Sequence, residues 1–237
     1  CSLANMEVVS HESEPLSEGR LAKVKAVIAN RQRDLVMVLE DIYDPHNAEA
    51  VFRTCEAFGI ETAHLIFEKQ TPFNPRKVGK STSSSANKWL SFVTHRSTES
   101  ALTMLKSEGY RIFATTLSDQ SQSLYDISFL DSKVAILMGN EHRGLSEAAH
   151  RLADVHVNIP MWGMVQSLNL SVTAAIMIYE VTRQRVPNIA LYRLNAAEQA
   201  ALLPHYTDRS KGSTPITKIE PGTTPVLGRF GRSEHND

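Results

Sequence analysis

The chain is predicted to form an α/β domain: a mainly parallel sheet flanked by helices, with short helical extensions at both ends. Three observations lead there. Six short apolar runs of strand length recur along the 237 residues. Helical patterns lie between several of them, and strands alternating with helices imply a parallel sheet covered on both faces. The segment 44–59 also carries helix punctuation at both ends.

Residues 1–15 are polar and acidic and read as a loose terminus. From Leu16 to Arg33 the pattern is helical and basic: Arg20, Lys23, Lys25, Arg31 and Arg33 follow one another with no acid between them. LVMVLE (35–40) is a buried strand by length and composition. In the next helix Asp44 suits the N-cap, Pro45 the first turn and Gly59 the left-handed C-terminal position. Ala48, Val51, Phe52, Cys55 and Phe58 fall on one stripe, and Arg53 points nearly opposite it. Further strands are expected at 63–67, 89–93, 111–117, 133–138 and 154–160. Helices are expected at 98–108, 146–152 and from about Leu168 to Arg185. One amphipathic stretch (195–203) follows Pro187, and the Thr-, Pro- and Gly-rich remainder reads as extended or partly disordered. These patterns divide the chain into a basic N-terminal extension (1–33), a core (34–186) and a C-terminal extension (187–237).

Composition excludes several classes. Apolar residues make up 42% and charged residues 22%, as in a soluble globular protein. Two cysteines, Cys1 and Cys55, make no disulfide framework and fit a reducing, cytoplasmic setting. The N-terminus lacks the apolar core of a signal peptide, and no run approaches a membrane span. The nine histidines show no metal-binding spacing, so no metal is expected. The formal net charge is −1, but 20–33 and 69–96 are free of acids and hold eleven of the 25 basic residues. Such segments are either solvated loops or a surface for phosphate backbone, with Arg20, Lys23, Arg31 and Lys80 as candidate contacts.

Nucleotide-binding fingerprints are missing. NPRKVGKST (74–82) looks like a P-loop but has Asn74 where the first glycine must stand, and no GxGxxG follows the first strand. Three other segments each have two readings. Arg53 is either a surface partner of Glu49, four residues earlier, or a residue free to meet a ligand. ILMGNEHRGLS (136–146) is either an ordinary strand-to-helix turn with Glu141 solvated, or a ligand site in which Gly139 lets a ligand approach the strand end. In IPMWGMVQSLNLSVTAA (159–175), Ser167 and Asn169 are either helix caps or site residues.

DPHNAEAVFRTCEAFG (44–59), ILMGNEHRGLS and IPMWGMVQSLNLSVTAA, in that order, resemble the SpoU or TrmH-like branch of the SPOUT RNA 2′-O-methyltransferases. The resemblance covers about Asp34 to Arg185. It implies a deep trefoil knot over about 133–186, S-adenosylmethionine as cofactor and an active site formed across a homodimer. The cofactor would lie against Thr116, Gly139, Ile159 and Leu168. Arg53 would be the principal catalytic residue, supported by Asn47, while Glu141, Ser167 and Asn169 shape the site and hold RNA.

The extensions look like those of members that methylate guanosine 18 in the D-loop of tRNA, as does EDIYDPHN (40–47). Arg183 matches a further functional arginine of that group, and Lys23 stands where its members often carry arginine. Another tRNA position, ribosomal RNA or a non-catalytic RNA-binding homologue are the alternatives; intact Asn47, Arg53, Glu141, Ser167 and Asn169 argue against the last. A small-molecule enzyme is disfavoured by the missing nucleotide fingerprints.

Overall fold

The computed structural model describes residues 15–77, 86–118, 120–130, 132–210 and a two-residue strand at 218–219. The expected loose N-terminus lies outside these residues except for residue 15, as does most of the expected extended tail.

Eight parallel strands form one sheet. They are β1 (Gln32–Glu40), β2 (Ile60–Ile66), β3 (Ser91–His95), β4 (Tyr110–Thr115), β5 (Gln122–Ser123), β6 (Lys133–Met138), β7 (Val155–Asn158) and β8 (Lys218–Ile219), in the order β5-β7-β4-β6-β1-β2-β3-β8. Among the described residues, six α-helices accompany them: α1 (Glu18–Ala29), α2 (Pro45–Ala57), α3 (Thr98–Ser107), α4 (Glu147–Leu152), α5 (Leu170–Arg185) and α6 (Ala196–Ser210). Side chains alternate between the two faces of a strand, so the central strands are apolar on both. Leu35, Met37 and Leu39 of β1 with Val134 and Ile136 of β6 pack beneath α2 and α5, against Val51, Phe52, Ala174 and Met177. Val36 and Val38 with Ala135 and Leu137 pack beneath α3 and α4, against Leu102, Leu105 and Ala149. Among the described residues no helix is long and apolar enough to cross a membrane.

Local signals place α2. The Asp44 side chain accepts the His46 amide, Pro45 opens the helix, and Gly59 takes φ +78° just past its end. A Cβ at Gly59 would sit 2.7 Å from the Asn30 carbonyl oxygen, which only glycine avoids.

β1 starts three residues earlier than its apolar run. Gln32 is buried and donates to the Phe58 carbonyl (2.8 Å) and the Thr182 hydroxyl (3.0 Å), and Asp34 adopts φ +58°. A polar side chain satisfied from across the fold leaves no periodicity to read. α6 in turn runs past Pro204 to Ser210, beyond the expected stretch. Its last turn is anchored: Tyr206 donates to Glu61 (2.6 Å), and Arg209 donates to the Trp89 carbonyl (2.9 Å). α6 and α1 thereby form a small core of Val24, Ile28 and Tyr206 with Trp89 and Leu203 packed against it.

Candidate active site

The carboxyl ends of β4, β6 and β7 and the start of α5 surround one cleft of about 670 Å³. All four expected cofactor contacts, Thr116, Gly139, Ile159 and Leu168, line it, together with Met138, Leu145, Val157 and Leu170. The lining is mixed, with these apolar side chains beside Asn47, Thr115, Arg143, His150 and Asn169, at strand ends where α/β folds commonly bind ligands. Gly139 is sterically required. A Cβ there would lie 2.6 Å from the Gly144 carbonyl and the Leu145 nitrogen, because the loop folds back on itself through paired Asn140 and Gly144 backbone bonds of 3.1 and 2.8 Å. Asn140 locks this loop. It donates to the Asp41 carbonyl (2.7 Å) and accepts the amides of His142 (2.9 Å) and Arg143 (3.0 Å). Sequence reasoning missed Asn140, although an Asn in a tight turn after a strand is itself a loop-fixing signal.

Glu141, Asn47 and Asn169 form one polar chain at the cleft. Glu141 is half-buried and accepts from the Tyr43 amide (2.7 Å), the Asp44 amide (3.3 Å) and the Asn47 side chain (2.9 Å). A carboxylate only accepts, so Asn47 must turn its NH₂ toward Glu141 and its oxygen outward. That oxygen accepts from Asn169 (3.1 Å). Asn169 also caps α5, accepting the Ser171 amide (2.8 Å) and hydroxyl (2.7 Å). The cap reading of Asn169 therefore holds, and the same residue lines the cleft. Ser167 is exposed on the cleft wall.

Arg53 lies elsewhere. It is exposed on α2 and lines a separate cavity of about 460 Å³ with Arg20, Lys23, Val24, Glu56, Trp89 and Tyr206. Among the described residues none lines both cavities. Arg53 stands six positions after Asn47, about 9 Å of rise along the helix and roughly 120° around it. Asn47 bonds Glu141 and Asn169, so within one chain it does not support Arg53 as expected. Glu49 is buried and pairs with His46 (3.9 Å), whereas Arg53 has no hydrogen bond or ion pair among the described residues.

The basic segments divide on folding. Arg20 and Lys23 are exposed beside Arg53. Arg31, expected to contact RNA, is instead 1% exposed. It donates to the Glu56 and Ile60 carbonyls (3.2 Å each) and pairs with Glu56 (3.4 Å) and Glu61 (3.6 Å). Its neutralising acids come from 25 and more residues downstream, which a count along the chain does not see. Arg183 is exposed on α5 and forms two 2.7 Å bonds with Glu180, which hold the Glu180 carboxyl below its ordinary range. Lys80 lies outside the described residues.

Comparison with known proteins places this geometry. The family described as SpoU rRNA Methylase matches residues 34–179. The tRNA (guanosine(18)-2′-O)-methyltransferase of Escherichia coli K12 is 38% identical over 189 residues, covering 78% of this chain and 80% of that protein. The crystal structure of the A. aeolicus TrmH/SpoU tRNA modifying enzyme superposes with a TM-score of 0.72 at 29% identity, covering 81% of this chain and 97% of that one. An AdoMet-bound rRNA methyltransferase from Sinorhizobium meliloti matches with a TM-score of 0.58 at 26% identity, over 68% of this chain and 59% of that one. With residues of all three motif segments lining one cleft and more than half its length matched, the chain belongs to the SpoU methylase family.

Proposed function

We propose that this protein transfers a methyl group from S-adenosylmethionine to the ribose 2′-hydroxyl of guanosine 18 in the D-loop of tRNA, in an active site assembled from two copies of the chain. The observation that carries the shared site is the separation of Arg53 from its own cleft. A second copy placed so that its Arg53 meets the Asn47–Glu141–Asn169 chain completes the set. Trp162 (86% exposed), Met164 (102%) and Val165 (63%), beside the cleft, and Tyr179 (57%) on α5 leave apolar surface that a second copy would cover.

The cleft suits the cofactor. Met138, Leu145, Val157 and Leu170 offer apolar surface to an adenine, the polar lining offers hydrogen-bonding groups, and Gly139 provides the close approach. When bound, S-adenosylmethionine supplies a methyl group on an electrophilic sulfonium. A trefoil knot over about 133–186 is consistent with the topology: β6 lies between β4 and β1, β7 lies beyond β4, and α5 returns to pack on α2.

The residues of the chain align and stabilise. The 2′-hydroxyl is a weak nucleophile until its proton is withdrawn, and withdrawal running ahead of attack puts negative charge on the oxygen for residues of this chain to stabilise. A guanidinium makes a poor proton acceptor, so Arg53 acts chiefly by stabilising that charge, with the proton passing to substrate phosphate or solvent. Glu141 fixes the face of Asn47, and Asn47 fixes Asn169, giving the ribose a preorganised rim.

Methyl transfer to unmodified tRNA transcripts, with the product ribose mapped, tests the assignment. Modification at guanosine 18 is expected; modification of ribosomal RNA alone would move the substrate, and no transfer to any RNA would overturn the function. Gly139→Ala is expected to weaken S-adenosylmethionine binding by roughly tenfold or more, because the new Cβ must displace the backbone of Gly144 and Leu145. Isothermal titration of the purified variant checks it.

A further inference from the structure

The cavity beside Arg53 has a composition that charge alone does not explain. Its floor is aromatic: Trp89 packs against Tyr206 with ring centroids 5.5 Å apart. Tyr206 is fully buried and held by Glu61, whereas Trp89 keeps part of its surface open. The rim is cationic. The Arg20 guanidinium lies 5.7 Å from the Trp89 ring centroid, and the Lys88 ammonium 5.4 Å from it. Lys23 and Arg53 line the same cavity, and Glu56, the one acid among its described lining residues, is paired with Arg31.

Two features point to a ligand that is both planar and anionic. An aromatic floor rewards a flat ring, and four basic groups around it reward phosphate. Of the two cations beside the indole, Arg20 is exposed and Lys88 partly exposed, so both are open to a phosphate arriving from solvent. A membrane surface or an acidic peptide would use the charge but not the ring. A mononucleotide would leave most of the rim charge unused. The cavity of about 460 Å³ has room for one nucleobase.

We infer that Trp89 is a stacking platform for one unpaired nucleotide of the substrate RNA next to the methylated ribose, with Arg20, Lys23 and Lys88 holding the flanking phosphates. This rests on the RNA methyltransferase reading and sharpens it. The enzyme would recognise an unstacked loop by capturing a neighbouring base, so that the target ribose arrives at Arg53 of the same chain. Stacking is tolerant of base identity, so the platform selects unpaired RNA rather than a sequence.

The test uses the full chain and an unmodified tRNA transcript. Trp89→Leu is expected to raise the RNA Kd by roughly tenfold or more, while Trp89→Phe raises it less and S-adenosylmethionine affinity is unchanged in both. Folded Trp89→Leu that binds the transcript like the parent overturns the inference. Because Trp89 also packs on Tyr206, a second measurement leaves it intact. In Trp162→Phe, Trp89 is the only tryptophan, and saturable quenching of its emission by the transcript is expected; unchanged emission at saturation overturns the platform. These readouts report binding alone. Failure of methyl transfer in the parent would count against the activity, and failure of these binding readouts against the platform.

Discussion

Arg53→Ala is expected to lower methyl transfer by roughly 100- to 1000-fold while leaving S-adenosylmethionine affinity and thermal stability unchanged. The separation of effects follows from where Arg53 sits. It is exposed, makes no hydrogen bond or ion pair among the described residues, and lines no part of the cofactor cleft. An exposed substitution of that kind shifts stability by about 0.5 kcal/mol or less. The loss falls on the step in which charge builds on the 2′-oxygen. Single-turnover transfer from bound cofactor, set beside a cofactor titration, reads the two quantities separately. Arg53→Lys keeps the charge but not the planar fork, and recovery of only part of the rate is expected. Near-parental turnover of the alanine variant would remove Arg53 from the reaction.

The largest stability effect is expected at Glu61. This carboxylate holds together the N-terminal extension, the core and the C-terminal helix: it accepts from Ser91 (2.8 Å) and Tyr206 (2.6 Å) and pairs with Arg31 (3.6 Å) and Arg209 (3.4 Å). Both guanidiniums are nearly inaccessible, at 1% and 4%. Without Glu61, Arg31 would keep Glu56 but Arg209 would lose its ion pair, and breaking a buried pair costs about 3–5 kcal/mol. Glu61→Ala is therefore expected to lower the thermal midpoint by roughly 10 °C. Glu61→Gln, which keeps an acceptor for Tyr206, should lose less. Denaturant unfolding of both variants checks the order, and an alanine variant within about 1 kcal/mol of the parent would mean that this cluster is marginal to stability. RNA binding is expected to fall with it, since Tyr206 backs Trp89.

How much of this was legible in the chain follows from how local each signal is. KVAILM became β6 residue for residue, because a strand buried on both faces is apolar throughout. The cap, proline and glycine of α2 each act within one turn and were readable for that reason. The three motif loops were also readable, and the cofactor-contact residues assigned from them line one cleft. What failed was long-range. Arg31 counted as surface charge until Glu56 and Glu61 closed on it, and Gln32 hid the start of β1 by bonding Thr182. β5 and β8 have two residues each, too few to carry a period. α6 passes Pro204 because its last turn is anchored to Glu61 and Trp89, contacts invisible in its own segment. Nor did any spacing reveal that Asn47 and Arg53, on one helix, serve different cavities.

That division makes the shared active site testable by complementation. Arg53→Ala retains an intact cleft, and Gly139→Val retains Arg53 but fills the cofactor's approach with side chain. Each is expected to be inactive alone. Coexpressed with different tags and purified through both, the mixed dimer would contain one cleft from the first chain facing Arg53 from the second. Its methyl transfer is expected at about half the parental rate per dimer, as one of two symmetry-related sites is whole. A doubly tagged dimer as inactive as its two parents would contradict an active site built from both chains.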